Sequence, residues 1–368
     1  MGINEIVIYI MVIFMIIGAI DKMFKNKLGL GQHFDEGLMA MGSLALAMIG
    51  IIVMAPVIAD VLSPVIVPVY TALGADPAMF AGSLLAIDMG GLQLAQEMAL
   101  NDDAAMFSGV ILGAMMGATI VFSIPVSLGI IRKEDQRYLA TGMLAGFIAI
   151  PVGAIVGGLV AGYSFGMVIT NLIPIFILAA LVILGLWKIP EKMIRGFTVF
   201  GHGVVVVATG GLAIGIIDVL TGITVIPGIA PLSDGIEVVG SIAIVLAGAF
   251  VMVEVITRVF KKPLMRVGKL LGMNEVSAAG MVATLANNIA MFNLMKDMDN
   301  RGKIINVAFS VPAAFVLGDH LGFAAGVARD MIFPMIAGKL VGGIAAVFIA
   351  ILIANMILGK ADKKPAVQ

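Results

Sequence analysis

The stretch YLATGMLAGFIAIPVGAIVGGLVAGYSFGMVITNLIPIFILAALVILGLW, from Tyr138 to Trp187, contains no Asp, Glu, Lys or Arg. A helix crosses the hydrocarbon core of a bilayer with roughly 20 apolar residues. The run therefore holds two crossings, with a turn expected at Gly162-Tyr163-Ser164. Working outward, residues 37–59, 104–131, 196–217 and 340–359 are equally free of charge. The whole chain is 61% hydrophobic and 12% charged, with a mean hydropathy of +1.14. A water-soluble domain carries about 25% charged residues, so this supply cannot coat a water-facing surface. The chain reads as an all-α polytopic membrane protein.

Composition excludes several classes. A net charge of −1 calls for no nucleic acid or acidic partner. With no cysteine there is no disulfide framework and no thiolate metal site. No His-Glu-x-x-His or Walker sequence occurs, and neither a metal nor another cofactor is expected. Met1-Gly2-Ile3-Asn4-Glu5 lacks the basic start of a cleaved signal peptide, so the first apolar segment is expected to stay. Ile6 stands where a myristoylation motif wants Ser or Thr.

The expected spans are 4–20, 37–59, 79–99, 104–131, 138–161, 166–187, 196–217, 236–257, 275–295, 303–328 and 333–358, giving about 10–12 crossings. Pro64 and Pro68 mark 61–74 as a re-entrant or strongly bent piece. Lys262, Arg266 and Lys269 among apolar residues suggest that 262–273 lies in the membrane interface.

An internal repeat organises these spans. Aligning 37–58 with 235–256 gives nine identities in 22 positions without a gap, including Gly37/Gly235, Gly50/Gly248 and Val53/Val251. Gly18-Ala19-Ile20-Asp21 resembles Gly215-Ile216-Ile217-Asp218, and Leu85/Leu285 and Ala86/Ala286 match downstream. Three collinear blocks at offsets creeping from 197 to 200 point to one duplication. Residues 1–131 form the first repeat, 132–194 a connecting helix pair, 195–335 the second repeat and 336–368 a C-terminal helix with a short tail. Duplicated halves with broken helices are the architecture of secondary transporters, whose sites lie at the repeat interface. If all basic loops are cytoplasmic, the N-terminus is outside and the halves run in opposite senses.

An ionisable residue at membrane depth is a functional candidate by default. Asp88 is the foremost, in Ile87-Asp88-Met89-Gly90-Gly91. Gly90 and Gly91 can break the helix and free carbonyls beside the carboxylate, which together suit a small cation. Asn287 and Asn288, at the matching place in the second half, offer amides to a hydroxyl or amine; bridging helices is their alternative role. Gln93 and Asn293 add polar faces one turn on. Asp319-His320 interrupts an apolar run and could relay protons, or simply mark a loop. Glu254 and Arg258 read as an i, i+4 pair, and His202 as a packed histidine. Gly162-Tyr163-Ser164-Phe165-Gly166 has the letters of a hydrolase nucleophile elbow, but joins two membrane helices instead of a strand and a helix. Asn101-Asp102-Asp103 reads as a solvated turn. Gly113/Gly117, Gly142/Gly146, Gly153/Gly157 and Gly322/Gly326 read as packing seams.

The opening Met1 to Ile6, the Gly29-Leu30-Gly31 loop, the segment Glu36 to Met48 and Ser83-Leu84-Leu85-Ala86-Ile87-Asp88-Met89-Gly90-Gly91 resemble the bacterial ethanolamine permease family. The likeness runs over almost the whole chain and is strongest in the first third. It implies uptake of ethanolamine across the bacterial cytoplasmic (inner) membrane. It brings no residue roles with it, so the assignments above rest on their chemistry. Near neutral pH ethanolamine is mainly an ammonium ion with one hydroxyl. Asp88 would pair with the ammonium, while Gln93, Asn287 and Asn288 would take the hydroxyl or close the cage. A passive channel would use the same residues. A membrane enzyme acting on lipid headgroups would need a nucleophile–base pair or clustered metal ligands. Membrane lipid is the expected neighbour, and a homo-oligomer is compatible with the sequence.

Overall fold

Inside lipid every backbone amide must be satisfied within the chain, which leaves helices as the way to lay down these apolar runs. The computed structural model describes residues 2–361; Met1 and the expected tail at 362–368 lie outside the described residues. Among the described residues there is no strand, and eight helices are long and apolar enough to cross a membrane. They are α1 (Ile3–Met23), α2 (Gly31–Ala72), α5 (Asp102–Ile130), α6 (Gln136–Val160), α7 (Phe165–Lys188), α8 (Pro190–Thr221), α9 (Leu232–Leu270) and α14 (Ile332–Ala361). Between them run three interrupted segments. These are α3 (Met79–Leu84) with α4 (Leu92–Met98), α10 (Glu275–Ala286) with α11 (Asn288–Leu294), and α12 (Asn300–Ala313) with α13 (Asp319–Val327).

Two expectations need correction. Segment 61–74 is no separate bent piece, because α2 runs unbroken through Pro56, Pro64 and Pro68 to Ala72. Nor is 262–273 a separate interfacial piece, because α9 continues through Pro263 to Leu270. At 1.5 Å per residue the 42 residues of α2 reach about 63 Å, twice the roughly 30 Å of hydrocarbon. Each proline removes one donor, and the surrounding turns still carry the helix. Hydropathy alone cannot tell such a continuation from a break.

Elsewhere the expected features are in place. Residues 161–164 make the turn between α6 and α7, with Gly162 at φ +86° and Ser164 Oγ accepting from Met167 N at 3.2 Å. Asn101 caps α5 by accepting from Ala104 N at 2.9 Å. Arg258 Nε donates to Glu254 Oε1 at 2.6 Å, and its guanidinium also holds the Leu28 carbonyl at 2.7 Å. The glycine seams are close contacts: Gly142 and Gly146 meet Val307 and Val311, Gly153 and Gly157 meet α14, and Gly322 and Gly326 meet Leu246 and Ile242. Gly113 and Gly117 face the interruption at Leu85 and Ile87.

Helix α2 lies antiparallel on α9. A Cβ on Gly37 would overlap the backbone of Leu246 and Ala247, and one on Gly235 would press on Ile49. Gly50 of α2 meets Ala208 and Leu212 of α8, while Gly248 of α9 meets Met11 and Met15 of α1. Gly18 meets Val251, and Gly215 meets Val53. In each case the second contact is the first with its partners exchanged and 197 or 198 residues between equivalents.

The loops repeat the pattern. Asp76 accepts from Ala78 N at 2.9 Å and from Asn101 Nδ2 at 3.3 Å. At the equivalent place Asn274 accepts from Ser277 N at 2.9 Å and donates its own N–H to Asp299 at 2.8 Å. Carboxylate and amide have changed places: Asn101, Asn274 and Asp299 cap the helices that follow them, while Asp76 holds the turn that leads into α3.

Candidate functional site

The first interruption is built by glycine. Leu85 and Ala86 are extended, at ψ 140° and 151°. A kinked turn over Ile87–Gly91 follows, with Met89 at φ −128°, ψ 37° and Gly90 at φ +80°. That is left-handed backbone in which a Cβ is strained, and Ile51 fills the space a Cβ would need. A Cβ on Gly91 would sit 2.6 Å from the Ala86 carbonyl oxygen, which accepts from Met89 N and Gly91 N, both at 3.0 Å. Gly90 and Gly91 therefore let the chain leave and re-enter a helix with Asp88 carried on the turn.

The second interruption falls at Asn287 (φ −158°, ψ 127°), whose side chain accepts from Ile289 N at 2.7 Å and starts α11. The break strands carbonyls at the end of α10, and another interrupted segment takes them up. Phe315 N donates to Thr284 O at 3.1 Å and Leu317 N to Leu285 O at 2.9 Å. Phe315 pays for this with φ +63°, unusual for a bulky residue. The conformation holds its ring against Phe122, centroids 5.8 Å apart, and against His320 at 5.0 Å.

The interruptions converge on a cavity of about 690 Å³. Asp88, Asn287 and the pair Asp319-His320 supply polar groups from three separate pieces of chain, and Phe122 and Phe315 supply aromatic faces. Ser43 from α2 and Thr198 and His202 from α8 lie on the same wall. His202, expected as a packed histidine, is exposed there.

The other expected residues lie elsewhere. Asn288 is fully buried behind the lining; its Nδ2 donates to Ser123 Oγ at 2.7 Å, and its Oδ1 has no partner among the described residues. Gln93 is half-buried on α4, outside the cavity lining, with Oε1 also unpartnered among the described residues. Asn293 is exposed, and its Nδ2 donates back to Ile289 O at 3.0 Å.

One group escaped the sequence reading. Lys339, 1% exposed on α14, donates from Nζ to the Ala114 carbonyl oxygen. It also lies 3.1 Å from His320 Nδ1. His320 Nε2 in turn stands 3.8 Å from Asp88 Oδ1. Lysine has only donors, so Nδ1 is the acceptor from an ammonium at Lys339 and the imidazole proton then belongs on Nε2, on the Asp88 side. The signal was available: Lys339 is a lone cation inside the expected span 333–358. Asp88, placed on the cavity lining, offers a counter-charge to a cationic guest. The lining, part carboxylate and amide, part aromatic, suits a small solute with a positive end and a hydrogen-bonding end.

Comparison with known proteins places the chain as a whole. Residues 3–353 match the family described as "Ethanolamine utilisation protein, EutH". The probable ethanolamine permease EutH of Listeria monocytogenes is 68% identical over 370 residues, covering 100% of this chain and 99% of that protein. The probable ethanolamine permease EutH of Salmonella typhimurium is 54% identical over 391 residues, covering 96% of each. The uncharacterized protein YxeR of Bacillus subtilis is 49% identical, covering 94% of each. No solved structure matches the chain.

Proposed function

The chain belongs to the EutH family of ethanolamine utilisation proteins, and from that premise we propose how it handles its solute. It is a multi-pass membrane protein that transports ethanolamine, a permease and not an enzyme. Our reading is that it works as a secondary carrier in the bacterial inner membrane. It binds ethanolammonium in the cavity between two inverted repeats, residues 1–131 and 195–335.

The observation that carries the site is the meeting of Asp88, Asp319 and Asn287 on one cavity beside helix interruptions. In this reading Asp88 takes the ammonium, and the Asn287 amide, presented at the opposite interruption, takes the hydroxyl. Phe122 and Phe315 cover the two methylenes and add ring-face attraction for the cation. Asp319 and His320 open on the same space and are placed to pass protons to and from it. Gln93, Asn288 and Asn293 take no direct part in this version of the site.

The carrier reading is supported by the exchanged contacts. Equivalent helices α2 and α9 lie antiparallel, as halves of opposite sense require, and the α1 and α8 contacts swap with them. Two such bodies rocking about a shared site is the general device of alternating access.

The test is uptake of labelled ethanolamine into proteoliposomes, wild type beside Asp88→Asn. Saturable wild-type uptake that the variant loses supports the site. Acceleration of uptake by ethanolamine preloaded inside supports a carrier, because a channel shows no such counterflow. Undiminished uptake in folded Asp88→Asn rules the Asp88 assignment out.

A further inference from the structure

Lys339 does not line the cavity, yet it is wired to it. Its ammonium has three donors and no acceptor. One donor reaches Ala114 O, one faces His320 Nδ1 at 3.1 Å, and His320 Nε2 faces Asp88 Oδ1 at 3.8 Å. The charged and titratable groups linked to it are His320 on α13 and, through it, Asp88 on the kinked turn; Asp319 stands beside His320 on the cavity lining. From α6 and α12, the residues nearest the glycines of the adjoining α14 turns are Gly153, Gly157, Phe309, Pro312 and Ala313, none of them charged. A buried ammonium needs a counter-charge, and Asp88, through His320, supplies one. Asp88 is also the group proposed above to hold the ammonium of the solute. The two cations thus compete for one carboxylate, one from inside the protein and one from the cavity.

Resting on the transport reading above, we propose that Lys339 exchanges its proton for the solute cation, so that ethanolammonium and a proton cross in opposite directions, one for one. When ethanolammonium pairs with Asp88, the Lys339 Nζ–H bond breaks and the proton passes to His320 Nδ1. The imidazole gives up its Nε2 proton to solvent in the cavity, and Lys339 is left a neutral amine. When the solute leaves, a proton returns along the same path and Lys339 again serves as the counter-ion of Asp88. The charge inside the protein is the same in both states. The exchange is therefore electroneutral, equivalent to net movement of the neutral amine although the protein binds its cation. A transmembrane voltage does not drive it. At equilibrium the ethanolammonium ratio equals the proton ratio, tenfold for each pH unit.

The experiment measures protons released when ethanolamine, adjusted to the same near-neutral pH, is added to the purified full chain in weakly buffered detergent solution. The expected result is about one proton per ethanolamine bound by wild type, and none by Lys339→Gln that still binds. In proteoliposomes, wild-type uptake should ignore an inside-negative potassium diffusion potential, and Lys339→Gln uptake should follow it. Binding by wild type without proton release overturns the proposal. So does release undiminished in Lys339→Gln, or voltage-driven uptake by wild type. The wild-type measurements decide the matter even where the variant does not fold. Each of those outcomes leaves ethanolamine transport standing, whereas absence of both binding and uptake in folded wild type overturns the transport reading itself.

Discussion

Asp88 Oδ1 lies 3.8 Å from His320 Nε2, so the carboxylate that faces the cavity is backed on its protein side by an imidazole. A hydrogen bond to a charged group contributes about 1.5–3 kcal/mol, which corresponds to about ten- to a hundredfold in affinity. Asp88→Asn is expected to weaken ethanolamine binding by that factor, read as the half-saturation of uptake or directly by titration. An unchanged affinity in a correctly folded variant would remove Asp88 from the site.

Asn287 offers a different handle. Its Oδ1 is engaged with Ile289 N at 2.7 Å, which leaves the amide N–H₂ for the solute. Asn287→Ala loses those donors together with the cap, and comparing two solutes on the same variant cancels the effect of the cap. The preference for ethanolamine over propylamine, which lacks the hydroxyl, should fall about tenfold, the size of one lost hydrogen bond. Competition against labelled ethanolamine measures it, and an unaltered preference would reassign the hydroxyl.

Gly90→Ala meets two obstacles, the φ of +80° and the side chain of Ile51. Backbone strain of this kind costs about 1–3 kcal/mol, and the overlap adds to it. The variant should melt earlier and transport poorly. Adding Ile51→Ala should recover the overlap but not the strain, giving partial rescue in thermal denaturation. Full rescue would show that backbone conformation is unimportant there.

Lys303 Nζ lies 2.6 Å from Asp135 Oδ1, both buried, with the Tyr138 ring 5.4 Å from the ammonium. Removing one member of such a pair strands the other and costs about 3–5 kcal/mol. Asp135→Ala or Lys303→Met alone should lower thermal stability sharply, while the double variant should recover much of the loss. Additive losses in the double-mutant cycle would mean that the two charges act separately.

The apolar spans, the turn at 162 and the glycine seams could be read from the sequence because they depend on local composition. Asp88, Gly90 and Gly91 were legible because a charge and two glycines in an apolar run contradict a plain helix. Gln93 and Asn293 were assigned to the site because each begins a polar face at i, i+3, i+4 spacing just beyond an interruption. The kink at 87–91 and the extended Asn287 re-aim those faces. Lys339 went unnoticed because it stands one position before the uncharged run 340–359 and looked like its boundary. Its partners, Ala114 and His320, come from two other helices, a relation no local window contains. The continuity of α2 and α9 was hidden by prolines that the helices tolerate.

The exchanged glycine contacts set a timetable. Gly37 finds its partner in Ala247 and Gly50 in Ala208, so the first two helices are made long before the chain that covers them. At about 5–20 residues per second, the ribosome needs on the order of ten to forty seconds to supply the missing faces. Until then α1 and α2 can enter the membrane but cannot finish packing. The glycines that later allow the closest approach are meanwhile turned toward lipid, or toward whatever insertion factor holds the nascent chain. The native contacts are completed only when the second half arrives.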